Sequence, residues 1–143
     1  MNHNAILAPA AVLVLWTLVM LFWMAATRLP VLAKMGGLEK LPPGGRGQNL
    51  DGVAPDQAQW KAHNYMHLVE QPTLFYAVVG ILALTGATGA LPVAFAWAYV
   101  ALRIVHSLWQ ATVNVVRVRF MLFAVSSLCL LVLAVIALMA TLS

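Results

Sequence analysis

The sequence predicts an all-α fold, an integral membrane bundle of four helices, from its low charge and its long apolar runs. Eight Lys or Arg and four Asp or Glu make only 8% of the 143 residues charged, whereas a soluble domain carries about 25%. Hydrophobic residues make up 63% of the chain, more than a soluble domain of this size could bury. A disordered chain is also excluded, because disorder requires low hydrophobicity and high charge.

Four apolar runs define the predicted helices, at about 5–27, 57–84, 92–115 and 120–142. The first contains no Asp, Glu, Lys or Arg and would extend about 35 Å, enough to cross a bilayer. Asp56 and Gln59 suggest a capping box at the start of the second, and Pro92 suits the first turn of the third. The Gly- and Pro-rich stretch of about 28–56 predicts a loop. We therefore expect one four-helix domain over residues 1–143.

The distribution of positive charge predicts the orientation in the membrane. The first loop and its edge hold five basic residues, Arg28, Lys34, Lys40, Arg46 and Lys61. Arg117 and Arg119 lie in the third connection, whereas the turn at 85–90 and both terminal regions have no Lys or Arg. By the positive-inside rule, we expect the two basic loops in the cytoplasm and both termini in the periplasm. These dispersed charges form no dense basic cluster, so we expect no nucleic acid partner.

Polar side chains interrupt the second and third predicted spans, where ionisable groups are costly and usually functional. On the second helix, His63, His67 and Glu70 share one face by their i, i+4, i+7 spacing, with Asn64 and Gln71 beside them. On the third, a polar stripe falls within about 100° and must face protein or trapped water; its members are Tyr99, Arg103, His106, Ser107, Gln110, Asn114 and Arg117.

The two polar faces are expected to meet in the cytoplasmic half of the bundle. A straight antiparallel hairpin with its turn near Thr88 would bring Glu70 and His106 to one depth, with Arg103 about one turn deeper. These residues could simply hold the bundle together, since hydrogen bonds in membranes contribute only about 0.6 kcal/mol on average. Two kinds of titratable side chain beside an arginine exceed what helix packing requires, so we expect a ligand-binding or catalytic site.

A metal site is an alternative interpretation of the same residues. His63, His67 and Glu70 could supply three ligands to Zn²⁺ or iron, and His106 a fourth. This spacing is not a specific metal-binding motif. Paired histidines on a helix are more often ordinary hydrogen-bonding residues, so we predict no metal.

Three segments resemble the MAPEG family, the membrane-associated proteins in eicosanoid and glutathione metabolism. They are HNYMHLVEQPTLFY at 63–76, YVALRIVHS at 99–107 and NVVRVRF at 114–120. The resemblance covers the whole four-helix layout, and the sequence looks like that of a bacterial member of the family. It implies a homotrimer in the bacterial inner membrane, with glutathione bound as co-substrate between neighbouring subunits near the cytoplasmic side. It also implies transfer of glutathione to lipophilic electrophiles, or reduction of lipid hydroperoxides.

The resemblance also implies roles for individual residues. Arg119 is the best match to the arginine that activates the thiol in many members, and Arg117 is its rival. Glu70 and Arg103 match family residues, whereas His63 and His67 stand where arginine and asparagine are common. The expected glutathione contacts are His63, Asn64, His67, Glu70, Gln71, Arg103, His106, Gln110, Asn114 and Arg28.

One departure from the family keeps a second function open. Well-studied eicosanoid enzymes have tyrosines where this sequence has Ile104 and Leu108, which argues against eicosanoid synthesis. The alternative is a non-catalytic membrane protein that binds a lipid or small ligand, or an accessory subunit of a larger complex. A transporter is disfavoured, because the chain shows no internal repeat and no pair of broken helices.

Overall fold

The computed structural model describes residues 4–142; the other residues of the predicted 1–143 domain lie outside this part. It contains five α-helices, which are α1 (Asn4–Lys34), α2 (Asp56–Glu70), α3 (Pro72–Thr85), α4 (Ala90–Thr112) and α5 (Val116–Leu142). Helices α2 and α3 together form one candidate span, Asp56–Thr85, so four helical stretches are long and apolar enough to cross a membrane. No strand occurs within residues 4–142. The predicted all-α membrane bundle of four spans is confirmed.

Helix α1 is longer than the sequence predicted, and the expected loop start at residue 28 is wrong. The helix continues through Arg28 and Pro30 to Lys34. A proline inside a span is tolerated where neighbouring groups satisfy the carbonyl that it leaves free, and Leu29, Val31 and Leu32 favour continuation. What remains of the loop contains two short 3₁₀ turns, Leu38–Lys40 and Gly47–Leu50.

The link between α4 and α5 is shorter than predicted. Helix α4 ends at Thr112 rather than 115, and α5 begins at Val116 rather than 120. Asn114 has a positive φ of 55°, and its N–H donates to the carbonyl of Trp109 at 2.8 Å. A residue in the left-handed conformation commonly ends an α-helix in this way. Arg117 and Arg119 therefore lie in the first turns of α5, not in a loop.

The second span begins without the predicted capping box, and it is interrupted just after Glu70. The capping box is absent: α2 starts at Asp56 without a side-chain cap, and Gln59 Nε2 donates instead to the carbonyl of Ala54. The span is interrupted at Gln71, and α3 begins with Pro72. Because proline has no N–H, the helical hydrogen-bond ladder cannot continue unbroken there.

Helix α4 lies at the centre of the packing. It contacts α1, α2 and α5, while α3 packs against α1 and α5. The Phe75 ring of α3 stacks on Tyr99 of α4 with centroids 4.4 Å apart, and both side chains are fully buried. The outward faces are apolar, as shown by Phe22 and Leu84, which are 71% and 91% exposed. Such a surface suits lipid contact better than water.

Candidate functional site

Helices α2 and α4 meet through buried polar contacts. Arg103, which is 0% exposed, donates from one terminal nitrogen to the backbone carbonyl of His67 at 3.0 Å. One turn away, Asn64 Nδ2 donates to Ser107 Oγ at 2.7 Å. His106 packs against His67 rather than lying level with Glu70, so the predicted register was wrong by about a turn. The break at Gln71 supplies the reason, because the straight-hairpin count assumes an unbroken second helix.

Arg103 lies beside the interrupted end of α2. Because Pro72 has no N–H, the carbonyl of Leu68, four residues earlier, loses its helical donor. The arginine donates to the neighbouring carbonyl of His67 in this last turn, and its guanidinium carbon lies 6.0 Å from the Phe123 ring centroid. The sequence predicted that Arg103 would contact a ligand, but the structure turns it into the bundle.

His67 connects this buried arginine to an exposed carboxylate. Its Nε2 lies 3.5 Å from an Arg103 nitrogen, and its Nδ1 lies 3.4 Å from Glu70 Oε2. A guanidinium offers only donors, so we assign Nε2 of the neutral ring as acceptor and Nδ1–H as donor to Glu70. The His67 ring also packs 5.0 Å from the His106 ring and 5.3 Å from the Phe123 ring.

Two adjoining cavities open at the end of the bundle where α1 and α4 end; we call them together the loop-end groove. One, of about 210 Å³, is lined by five polar side chains and one methionine, which are His63, His67, Glu70, Gln110, Arg119 and Met66. The other, of about 200 Å³, is more aromatic and is lined by His67, His106, Val116, Arg119, Phe120 and Phe123. His67 and Arg119 belong to both walls, so a single ligand could contact both compartments.

The groove combines opposite charges with unmet hydrogen-bonding capacity. The Glu70 side chain is 67% exposed, which leaves its carboxylate accessible to a ligand, and Arg119 supplies a guanidinium to both cavities. His106 Nδ1 and Gln110 Oε1 are buried without a hydrogen-bond partner among the described residues. Buried polar atoms normally find partners, so these walls fit a polar ligand that carries both signs of charge.

The structure distinguishes the two candidate arginines. Arg119 donates to Asn114 Oδ1 at 2.7 Å, which holds its guanidinium beside the groove. Arg117 is exposed and lines neither cavity. The geometry therefore favours Arg119 as the residue that acts on a ligand, with Asn114 as its support.

Two other predicted contacts, Asn64 and Gln71, lie outside the groove walls. Asn64 is fully buried against Ser107. Gln71 donates to Ser127 Oγ at 2.7 Å and accepts from the Tyr99 hydroxyl at 3.3 Å. These two side chains hold the helices together rather than facing a ligand.

Arg28 belongs to the loop side of the site. One of its terminal nitrogens lies 3.8 Å from Asp51 Oδ1, and the same oxygen is 3.3 Å from His63 Nε2. Asp51 thus links the end of α1 to a histidine in the groove wall. Asp51 was not predicted, because a lone acid in a Gly- and Pro-rich loop carries no periodic signal.

Four further lining residues were also missed, which are Met66, Val116, Phe120 and Phe123. The last two are three positions apart on α5 and close to Arg119, so same-face spacing could have found them. They were overlooked because the fourth span was described only as an uncharged apolar run. As for the metal alternative, no group of three or more His, Cys, Asp or Glu within residues 4–142 is placed to hold a metal ion.

The fold and the groove define a membrane protein of four spans with a polar, two-compartment site at one end of the bundle. Residues 6–139 match the MAPEG family, nearly the whole chain, and the protein belongs to that family. No curated protein and no solved structure gives a significant match to the chain.

Proposed function

We propose that the protein is a glutathione-dependent membrane enzyme that conjugates glutathione to lipophilic electrophiles or reduces lipid hydroperoxides. The MAPEG family includes such transferases and peroxidases as well as non-catalytic members. The single observation that carries the proposal is the groove wall shared by the Glu70 carboxylate and the Arg119 guanidinium. Glutathione has two carboxylates, an ammonium group and a thiol, so it presents the complementary charges.

Each charged wall residue has a supported role in this proposal. Glu70, oriented by His67, accepts hydrogen bonds from the ligand ammonium. Arg119, held by Asn114, stabilises the thiolate. A free thiol has a pKa of about 8.5, and a neighbouring arginine lowers it, which raises the thiolate fraction at neutral pH. His63 and Gln110 supply further polar contacts along the first cavity.

The second cavity suits the other substrate. Phe120 and Phe123 offer apolar faces next to Arg119, so a lipophilic compound there would lie close to the sulfur. In conjugation, the thiol loses its proton to solvent, a carbon–sulfur bond forms, and the leaving group departs with its electron pair. In peroxide reduction, two glutathione molecules are oxidised to glutathione disulfide, and the hydroperoxide is reduced to an alcohol and water.

We further propose a homotrimer in the bacterial inner membrane, with both termini periplasmic and the groove near the cytoplasmic side. The loop and the first turns of α5 hold the basic residues at the same end of the bundle as the groove, which supports this orientation. A neighbouring subunit would cover part of the apolar outer surface and close the groove around glutathione.

A second candidate function is non-catalytic ligand binding. Ile104 packs against the apolar core and Leu108 is 42% exposed, and neither lines the groove cavities. Because these residues are isoleucine and leucine, the tyrosine hydroxyl groups that some family enzymes carry here are missing. The two functions differ in one observable, because a binding protein would take up glutathione without turning it over.

The test combines calorimetric binding of glutathione with a conjugation assay that uses an activated aryl halide. We expect wild-type binding and turnover, and we expect Arg119→Ala to lower kcat about 100-fold, the cost typical of removing one group that stabilises developing negative charge. Arg117→Ala is the matched control and should retain activity. Binding without turnover would favour the non-catalytic function, and no binding at millimolar glutathione would reject the proposal.

A further inference from the structure

A separate cavity of about 280 Å³ lies within the long loop, away from the groove. Its lining is mainly apolar and includes Leu32, Met35, Leu38, Leu41, Pro42 and Leu50, with Arg46 and Asn49 as the polar members. Loops usually expose polar groups to water, yet Leu38 and Met35 are 65% and 44% exposed. This size approaches the lower end of typical small-molecule sites, about 300 Å³.

The wall of this loop cavity is anchored to the transmembrane bundle. Gly47 lies against the guanidinium of Arg28, so closely that an added Cβ would collide with it. A few residues later, Asp51 contacts both Arg28 and His63. The segment from Arg46 to Asp51 is therefore tied to α1 and α2, and the hollow beside it is a built feature of the fold.

The cavity lies where a membrane surface would be. Leu32 and Met35 stand at the end of α1, a helix of 31 residues that is about 46 Å long. The hydrocarbon core of a bilayer is only about 30 Å thick, so the end of α1 that carries Arg28 and Lys34 would reach the headgroup region. At this depth, acyl chains and charged headgroups meet, and an apolar hollow can exchange contents with the lipid.

The charge around the cavity is positive. Among residues 28–51, four basic residues outnumber two acids; they are Arg28, Lys34, Lys40 and Arg46 against Glu39 and Asp51. Within the described part of the chain, no carboxylate lies within salt-bridge distance of Arg46. A guanidinium pairs strongly with a carboxylate or phosphate, so Arg46 favours an anionic headgroup next to the apolar walls.

We propose that this loop cavity binds one acyl chain of an anionic amphiphile, with the anionic head held by Arg46. A fatty acid and an anionic phospholipid share this chemistry. The site is separate from the loop-end groove and does not depend on glutathione chemistry. It assigns a function to the apolar side chains of a loop that otherwise only connects two spans.

The test is photolabelling of the full-length protein in phosphatidylcholine vesicles with a diazirine-bearing palmitate. We expect the label on peptides spanning residues 32–50, and about tenfold weaker labelling in Arg46→Ala, because one charge-assisted contact is lost. Lys34→Ala removes a nearby basic residue outside the cavity wall and should label as wild type does. Leu41→Trp fills the cavity while leaving Arg46 in place, and should abolish the label independently.

Competition identifies the chemistry and the source of the amphiphile. Unlabelled palmitate or phosphatidylglycerol should displace the probe, and whichever does so more strongly names the source. Hexadecanol, which has the chain without the charge, should compete about tenfold less well than palmitate. Equal competition by hexadecanol, unchanged labelling of Arg46→Ala, or labelling confined to the outer faces of the helices would overturn the proposal. Cross-links showing that a second copy fills the cavity would overturn it as well.

Discussion

Replacement of Glu70 by glutamine separates ligand binding from folding. The carboxylate is two-thirds exposed and its one contact in the groove is His67 at 3.4 Å, so the substitution leaves no buried charge unpaired. We therefore expect the free energy of unfolding to change by less than about 0.5 kcal/mol. A hydrogen bond to a charged group contributes about 1.5–3 kcal/mol, so the Kd for glutathione should rise about 10- to 100-fold.

A glutathione analogue without its amino group makes this prediction specific. Wild-type protein should bind the analogue about 10- to 100-fold more weakly than glutathione, whereas Glu70→Gln should bind both compounds alike. Isothermal titration calorimetry measures the four Kd values, and Glu39→Gln in the loop is the matched control. If Glu70→Gln still discriminates between the two ligands as wild type does, the ammonium does not contact Glu70 and the reasoning is refuted.

Substitutions at two further positions, His67 and Arg103, test the buried support of the groove. His67→Asn keeps a donor for Glu70 and should leave the Kd for glutathione within about threefold of the wild-type value. His67→Leu removes that hydrogen bond and should raise the Kd about tenfold. Calorimetry measures both values, and equal affinities of the two variants would exclude the assigned His67–Glu70 contact. Arg103→Met removes the donor to the His67 carbonyl and should lower the free energy of unfolding in detergent by about 1–2 kcal/mol, since relief of the buried charge offsets part of the loss. A variant as stable as wild type, with glutathione binding abolished, would instead make Arg103 a direct ligand contact.

The face of α2 that lines the groove could be predicted from the sequence alone. His63, His67 and Glu70 repeat with the period of a helix, and a helix fixes which side chains share a face regardless of its surroundings. The buried stripe on α4 was predicted for the same reason as far as Gln110. Asn114, the next member of the predicted stripe, does not lie on α4 because the helix ends at Thr112.

The register between α2 and α4 and the direction of the Arg103 side chain could not be predicted from periodicity. The register of α2 against α4 depends on how the break before Pro72 displaces the helix, which periodicity does not encode. Arg103 has a long side chain that could reach a ligand or turn inward, and the structure shows it turned inward, to the His67 carbonyl. Likewise, the end of α1 depends on whether Pro30 stops a helix, and membrane burial overrides its usual effect.

The central claim is that Arg119 generates a thiolate in the groove. Ultraviolet difference absorbance of bound glutathione at pH 7 measures this directly, because a thiolate absorbs where a thiol does not. The account predicts a thiolate signal of about one per site in wild type and in Arg117→Ala, and none in Arg119→Ala at saturating glutathione. A thiolate signal in Arg119→Ala equal to that of wild type, or no signal in wild type saturated with glutathione, would contradict it.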